Sequence, residues 1–239
     1  MSGLLYKEFY QLRRDMALVF GLQVVGSIIC IIYTFLFKQE SDPEFRCRIL
    51  LSLSYILFLA LGSLMSSGFF SNDEKRPWNN FAISLPQTGK GLVAAEYYSV
   101  LIVHLMILFI CFVTDTIVVA LYGSPAVSGM MTAVLFFVIR ILVNAIAIPF
   151  MLRFGAALGL NVEVACLGII LMLLGVYALF GDISIFLSGN ILDALTMFLT
   201  SQNVIWFLAL LPFVAALAYY ISYRVSLKVY RKGAENYGQ

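Results

Sequence analysis

Charge is scarce in this sequence. Of 239 residues, 12% are Asp, Glu, Lys or Arg and 62% are hydrophobic, whereas soluble domains run nearer a quarter charged and half apolar. A chain so composed cannot coat a soluble surface, and the shortage is explained if lipid is its solvent. Cysteine is also sparse. Cys30, Cys47, Cys111 and Cys166 include three inside apolar runs and no C-x-x-C, so they read as small apolar filler rather than a disulfide framework or zinc site. The opening residues do not read as a signal peptide, because MSGLL is followed by YKEFYQLRRD with no apolar h-region before a cleavage site. A phosphate-binding loop is missing too. The nearest stretch has Ser84 where G-x-x-x-x-G-K-[ST] needs its first glycine, and Gly91 where it needs a hydroxyl. The net charge of +2 says little about partners, and nucleic acid is not expected among them.

What the chain does have is long apolar runs. Six meet or approach the roughly 20 residues a helix needs to cross the hydrocarbon core: Met16–Phe37, Ile49–Phe70, Tyr98–Leu121, Met130–Leu152, Val164–Phe180 and Ile205–Tyr223. The expected fold is therefore an all-α integral membrane protein, a single transmembrane domain over residues 1–239 with six spans. Lys and Arg orient it. Eleven fall in the N-terminal segment, the second and fourth loops and the tail, and three (Lys38, Arg46, Arg48) in the first loop. By the positive-inside bias both termini are cytoplasmic in a multi-pass protein of the cell membrane.

Two segments read as membrane-associated without crossing. In residues 1–15, Leu5, Phe9, Leu12 and Met16 recur on one helical stripe with Lys7, Gln11 and Arg14 turned away. This pattern predicts an interfacial helix in the cytoplasmic headgroup region, leading into the first span. In residues 181–203, Asn190 can cap the nine residues ILDALTMFL. They are too few to span and suit an extracellular re-entrant segment between the fifth and sixth spans. A flat helix on the outer surface is the alternative.

The longest cytoplasmic loop, residues 71–97, contains DEKRPWNNFAISLPQTGK. Trp78, Phe81 and Leu85 share one face of a short helix that Pro86 ends, preceded by the cluster Asp73, Glu74, Lys75 and Arg76. A loop that only joined two helices could be far shorter. Such an element serves as a docking knob for a cytoplasmic partner, or as another interfacial anchor, since Trp favours headgroups.

Glu74-Lys75-Arg76 after the second span, the Trp78–Leu85 helix, Ser84-Leu85-Pro86 and Glu96-Tyr97-Tyr98 at the third span together resemble the ABC-2-type exporter permeases. The layout of the whole chain does so too. More narrowly, the chain is similar to permeases of phenol-soluble-modulin exporters of Gram-positive bacteria. The resemblance implies a non-catalytic transmembrane subunit that forms a homodimer with two separate ABC ATPase subunits. ATP and magnesium would be held by that partner and no cofactor by this chain, and the substrate would be an amphipathic, cytolytic or antimicrobial-type peptide. By the same resemblance, residues 71–97 are the coupling loop. Trp78, Phe81 and Leu85 would pack against the ATPase, with Glu74, Lys75 and Arg76 as the polar rim.

Ionisable groups inside spans are costly and mark function by default. Asp115 in the third span and Arg140 in the fourth are the two clear cases. A hairpin turning near Gly123–Gly129 sets Arg140 opposite Cys111, about one turn of roughly 5 Å from Asp115, so an intramembrane Asp115–Arg140 pair is expected. His104 and Asn144 read as interhelical hydrogen-bonding residues. Asp115, His104 and Glu163 have no metal-ligand spacing. An intramembrane enzyme would need Asp115 and His104 to act together, yet they stand roughly 16 Å apart along one helix. A membrane immunity or anchoring protein without an ATPase partner would share the topology, and the loop resemblance stands against it.

Overall fold

The computed structural model describes residues 2–36, 43–74, 89–124, 128–180 and 202–236. These residues form helices and no strand: α1 (Ser2–Gln11), α2 (Arg13–Leu36), α3 (Pro43–Glu74), α4 (Gly89–Tyr122), α5 (Met130–Phe154), α6 (Ala156–Phe180) and α7 (Gln202–Asn236). Five of the six expected runs lie within one long helix each, and the first does so as far as Leu36, Phe37 lying outside the described residues. Among the described residues, α2, α4, α5 and α7 are long and apolar enough to cross a membrane, and α6 carries a shorter apolar stretch, Ala156–Ile170. The segment at 181–201 lies outside the described residues, and with it the expected re-entrant element.

Helix α2 buries the opposite face from that of a helix in a soluble bundle. In α2 the buried positions are Val19, Gln23, Cys30 and Thr34, while Leu18, Leu22, Val25, Ile29, Ile32 and Phe35 stand exposed. In lipid there is no hydrophobic gain from packing leucine against leucine, so small and polar residues meet between helices and large apolar ones face outward. The buried core draws on α2 through α6 and on Leu12 between α1 and α2, and includes Leu51, Tyr55, Phe69, Val100, Ile107, Ala147 and Ile148. Helix α5 is central and packs against α3, α4, α6 and α7.

Two helices begin well before the runs that hydropathy marks. Helix α4 starts at Gly89 rather than Tyr98, and Leu92, Val93, Ala94, Ala95, Glu96 and Tyr97 are all buried. Helix α6 likewise starts early, at Ala156, with a single residue between it and the end of α5 at Phe154. The joint is Gly155, with φ of 96°, a conformation that favours glycine. Its N–H bonds to the Met151 carbonyl at 2.9 Å. Gly159 completes the joint, because a Cβ there would stand 2.0 Å from Met151 Cγ.

Helix α1 breaks from α2 at Leu12 and rests on α3 and α4. Leu12 is buried and the Phe9 ring meets Phe69 edge-on at 6.4 Å. Of the expected stripe, Leu12 is fully inside and Leu5 and Phe9 are half-buried, and Glu8 shares that inner side. Outward, Tyr6 and Tyr10 stack at 5.9 Å and the Arg13 guanidinium lies 4.7 Å over the Tyr10 ring.

Candidate functional site

Five of the six residues expected at an ATPase interface, Lys75, Arg76, Trp78, Phe81 and Leu85, lie outside the described residues, and Glu74 is the last residue of α3. What the structure does show is the interior that such a loop would drive, a set of buried polar side chains tying the helices together.

Asp115 and Arg140 do not pair. Arg140 Nη2 instead donates to Glu163 Oε1 as a buried ion pair between α5 and α6, and to Asn144 Oδ1 at 3.4 Å, one turn along its own helix. Arg140 is 3% and Glu163 1% exposed, which accounts for the pairing: a buried guanidinium needs a buried counter-charge. Glu163 is available because the early start of α6 puts it inside a helix rather than in a loop. Arg140 Nε and Nη1, Asn144 Nδ2, Glu163 Oε2 and His104 Nε2 have no hydrogen-bond partner among the described residues. At about 1–3 kcal/mol for each unpaired buried group, this layer is held together by its surroundings and not by its own hydrogen bonds alone. The fully buried His104 bonds through Nδ1 to the Val100 carbonyl at 2.8 Å. It sits against Gly62 of α3, where an added Cβ would be 3.3 Å from Nε2.

Asp115 is spent on the turn between α4 and α5. Its Oδ1 accepts the Gly129 N–H at 2.8 Å and the Tyr55 hydroxyl of α3 at 3.3 Å, and its Oδ2 accepts from Ser128 Oγ at 2.7 Å. Gly129 is the N-cap residue of α5 and has no cap from its own side chain. A carboxylate at that end meets free N–H groups and the positive end of the helix dipole. One residue thus joins three helices.

Two further ties were not singled out as a site by spacing in the sequence. Gln23 of α2 donates through Nε2 to the Ile107 carbonyl at 2.9 Å, and Thr114 donates to Ser27 at 2.9 Å, joining α2 to α4. Nearer the other end of α4, the Tyr97 hydroxyl lies 2.6 Å from Ser222 Oγ and 2.8 Å from Ser226 Oγ. Tyr219 donates to the Tyr97 carbonyl at 2.8 Å, and Tyr97 meets the rings of Tyr219 and Tyr223 edge-on at 5.0 and 5.6 Å. The signal for this second tie was the i, i+4 pair Ser222 and Ser226 at the end of the last apolar run. Among the described residues no three His, Cys, Asp or Glu side chains come together as a metal-ligand set.

Long helices with apolar residues outward and interhelical polar ties inward define an all-helical membrane protein. A model of the ABC-2 family transporter proteins matches residues 3–231. The chain belongs to this family and is accordingly a membrane component of an ABC transporter. No curated protein and no solved structure matches it.

Proposed function

We propose that the chain is the transmembrane subunit of an ATP-driven exporter. It acts as a homodimer with two separate ATPase subunits that hold ATP and magnesium, and exports amphipathic peptides of cytolytic or antimicrobial type. In this reading the six long helices are six spans, both termini are cytoplasmic, and residues 181–203 re-enter the outer leaflet. Helix α1 lies at the cytoplasmic headgroups with Tyr6, Tyr10 and Arg13 outward. The pathway lies at the dimer interface and works by alternating access or lateral extrusion.

The observation that carries the reading is the family match over residues 3–231. The geometry supplies a route for coupling. Residues 75–88 connect two long helices, α3 of 32 residues and α4 of 34, and a helix moves as a rod over such lengths. Helix α4 carries Tyr97 on α7, Gln23's acceptor toward α2, and Asp115 on the N-terminus of α5. A displacement of the loop by an ATPase would therefore reach every one of these neighbours through α4.

The test is gentle solubilisation of a tagged chain from native membranes, with mass spectrometry of what co-purifies. A stoichiometric partner bearing a phosphate-binding loop, with vanadate-sensitive ATPase activity in the complex, is the expected result. A chain that comes down alone under conditions that retain weak complexes overturns the reading in favour of an anchoring or immunity protein.

A further inference from the structure

A groove of about 450 Å³ runs between α4, α5 and α7, within the roughly 300–1,000 Å³ typical of small-molecule sites. Its walls include Tyr98 and Leu101 of α4, Ile141 of α5, and Ala216, Tyr220 and Tyr223 of α7. Tyr98 and Tyr220 are 50% and 57% exposed, so the groove opens to the side, between helices long and apolar enough to cross a membrane. Its surroundings are therefore lipid.

One end of the groove is basic, and the helix registers show why. On α4, the stripe of Ala94 and Tyr98 continues one turn back to Lys90. On α7, Arg224 stands one turn beyond Tyr220 at the edge of the groove, and Lys228 lies a turn further on at the same end, rotated away from the groove because each i+4 step turns about 40°. The helices are antiparallel at this point. The bonds from Tyr97 to Ser222 and Ser226 set Lys90 and the two α7 cations at the same end of the bundle. Lys90, Arg224 and Lys228 are all exposed, and none forms an ion pair among the described residues. The same end holds the phenol groups of Tyr98, Tyr220 and Tyr223, amphipathic rings suited to headgroup level.

We propose that this groove binds a phospholipid with a net negative headgroup, one acyl chain lying against Leu101, Ile141 and Ala216 and the phosphate held between Lys90 and Arg224, with Lys228 adding positive charge at the same end. Apolar walls alone would take any chain. The three cations at that end, which form no ion pair among the described residues, select the anionic headgroup, as basic pockets between membrane helices do. On the orientation proposed above, the lipid comes from the cytoplasmic leaflet. The site itself does not depend on that orientation or on an ATPase partner.

The experiment uses the full chain purified in a neutral detergent, with phosphatidylglycerol and phosphatidylcholine added separately. Native mass spectrometry counts bound lipid and thermal unfolding reads its effect. Phosphatidylglycerol should bind at one per chain and raise the Tm, while phosphatidylcholine binds about tenfold or more weakly. The triple variant Lys90→Gln, Arg224→Gln, Lys228→Gln should unfold at the wild-type temperature without lipid and lose the preference. Should that variant fail to fold, Ala216→Trp, which fills the groove from α7 and leaves the cations in place, should reduce binding of both lipids. Equal binding of the two lipids by the wild type overturns the proposal, as does a preference that survives the triple variant or undiminished binding in Ala216→Trp. Competition by glycerophosphoglycerol at the same concentration as the lipid also overturns it, since that would make the site one for a free phosphate ester.

Discussion

Removing Glu163 alone leaves Arg140 charged, buried and without its counter-ion. Glu163→Gln should cost about 3–5 kcal/mol, read as a lower unfolding temperature in detergent. Replacing both partners with apolar residues of similar size, Arg140→Met with Glu163→Leu, should recover most of that loss, because the charge that demanded compensation is gone. A double variant no better than Glu163→Gln would show that the pair holds the helices in a way packing cannot replace. Asp115 is a different kind of anion, one matched to hydrogen-bond donors rather than to a cation. Asp115→Ala strips acceptors from Gly129 N–H, Ser128 and Tyr55 and should cost about 2 kcal/mol. Asp115→Asn, whose side-chain oxygen can still accept the Gly129 N–H, should cost clearly less in the same unfolding assay.

At the scale of helices, glycine positions separate close packing from open surface. At Gly159 a Cβ would meet Met151 Cγ at 2.0 Å and Met151 Cα at 3.0 Å. Gly159→Ala should therefore force the α5–α6 joint apart and destabilise by about 1–3 kcal/mol. Gly168, further along α6, has nothing within 4 Å of the same position. Gly168→Ala should be neutral or stabilise by up to about 1 kcal/mol through helix propensity. If unfolding of the two variants showed equal losses, the tight joint at Gly155 would be wrong. The same contrast explains why α6 begins where it does. The left-handed φ at Gly155 and the bare surface of Gly159 let the chain reverse within a single residue, with no loop in between.

For the molecule as a whole, the prediction concerns coupling. Trp78→Ala with Phe81→Ala should leave the unfolding temperature of the purified chain unchanged, because in the proposed reading these side chains pack on the ATPase. ATP hydrolysis by the assembled complex should continue while peptide export falls to background. Export at the wild-type rate in this double variant would remove residues 75–88 from the coupling role. The expected homodimer is checked by native mass spectrometry of the complex, which should show two copies of this chain and two of its ATPase.

Much of the architecture was legible because the membrane imposes a length rule. Apolar runs near 20 residues must be helical, so the order and approximate positions of the six long helices follow from hydropathy alone. So does the interior location of Asp115 and Arg140, since each is an isolated ionisable group within such a run. What hydropathy does not report is where a helix continues under protein cover. The early start at Gly89 was invisible for that reason and the one at Ala156 because Glu163 interrupts the apolar run, and the second of them decided the ion pair. Read as a loop residue, Glu163 was no competitor for Arg140. Placed two turns into α6 and buried, it is the closer anion, and Asp115 is left to cap α5. Residue types limited the possible partners, since a buried guanidinium calls for a carboxylate. Only the tertiary structure chose between two carboxylates, because that choice rests on the reversal at Gly155 and on which helix end lay nearest each charge.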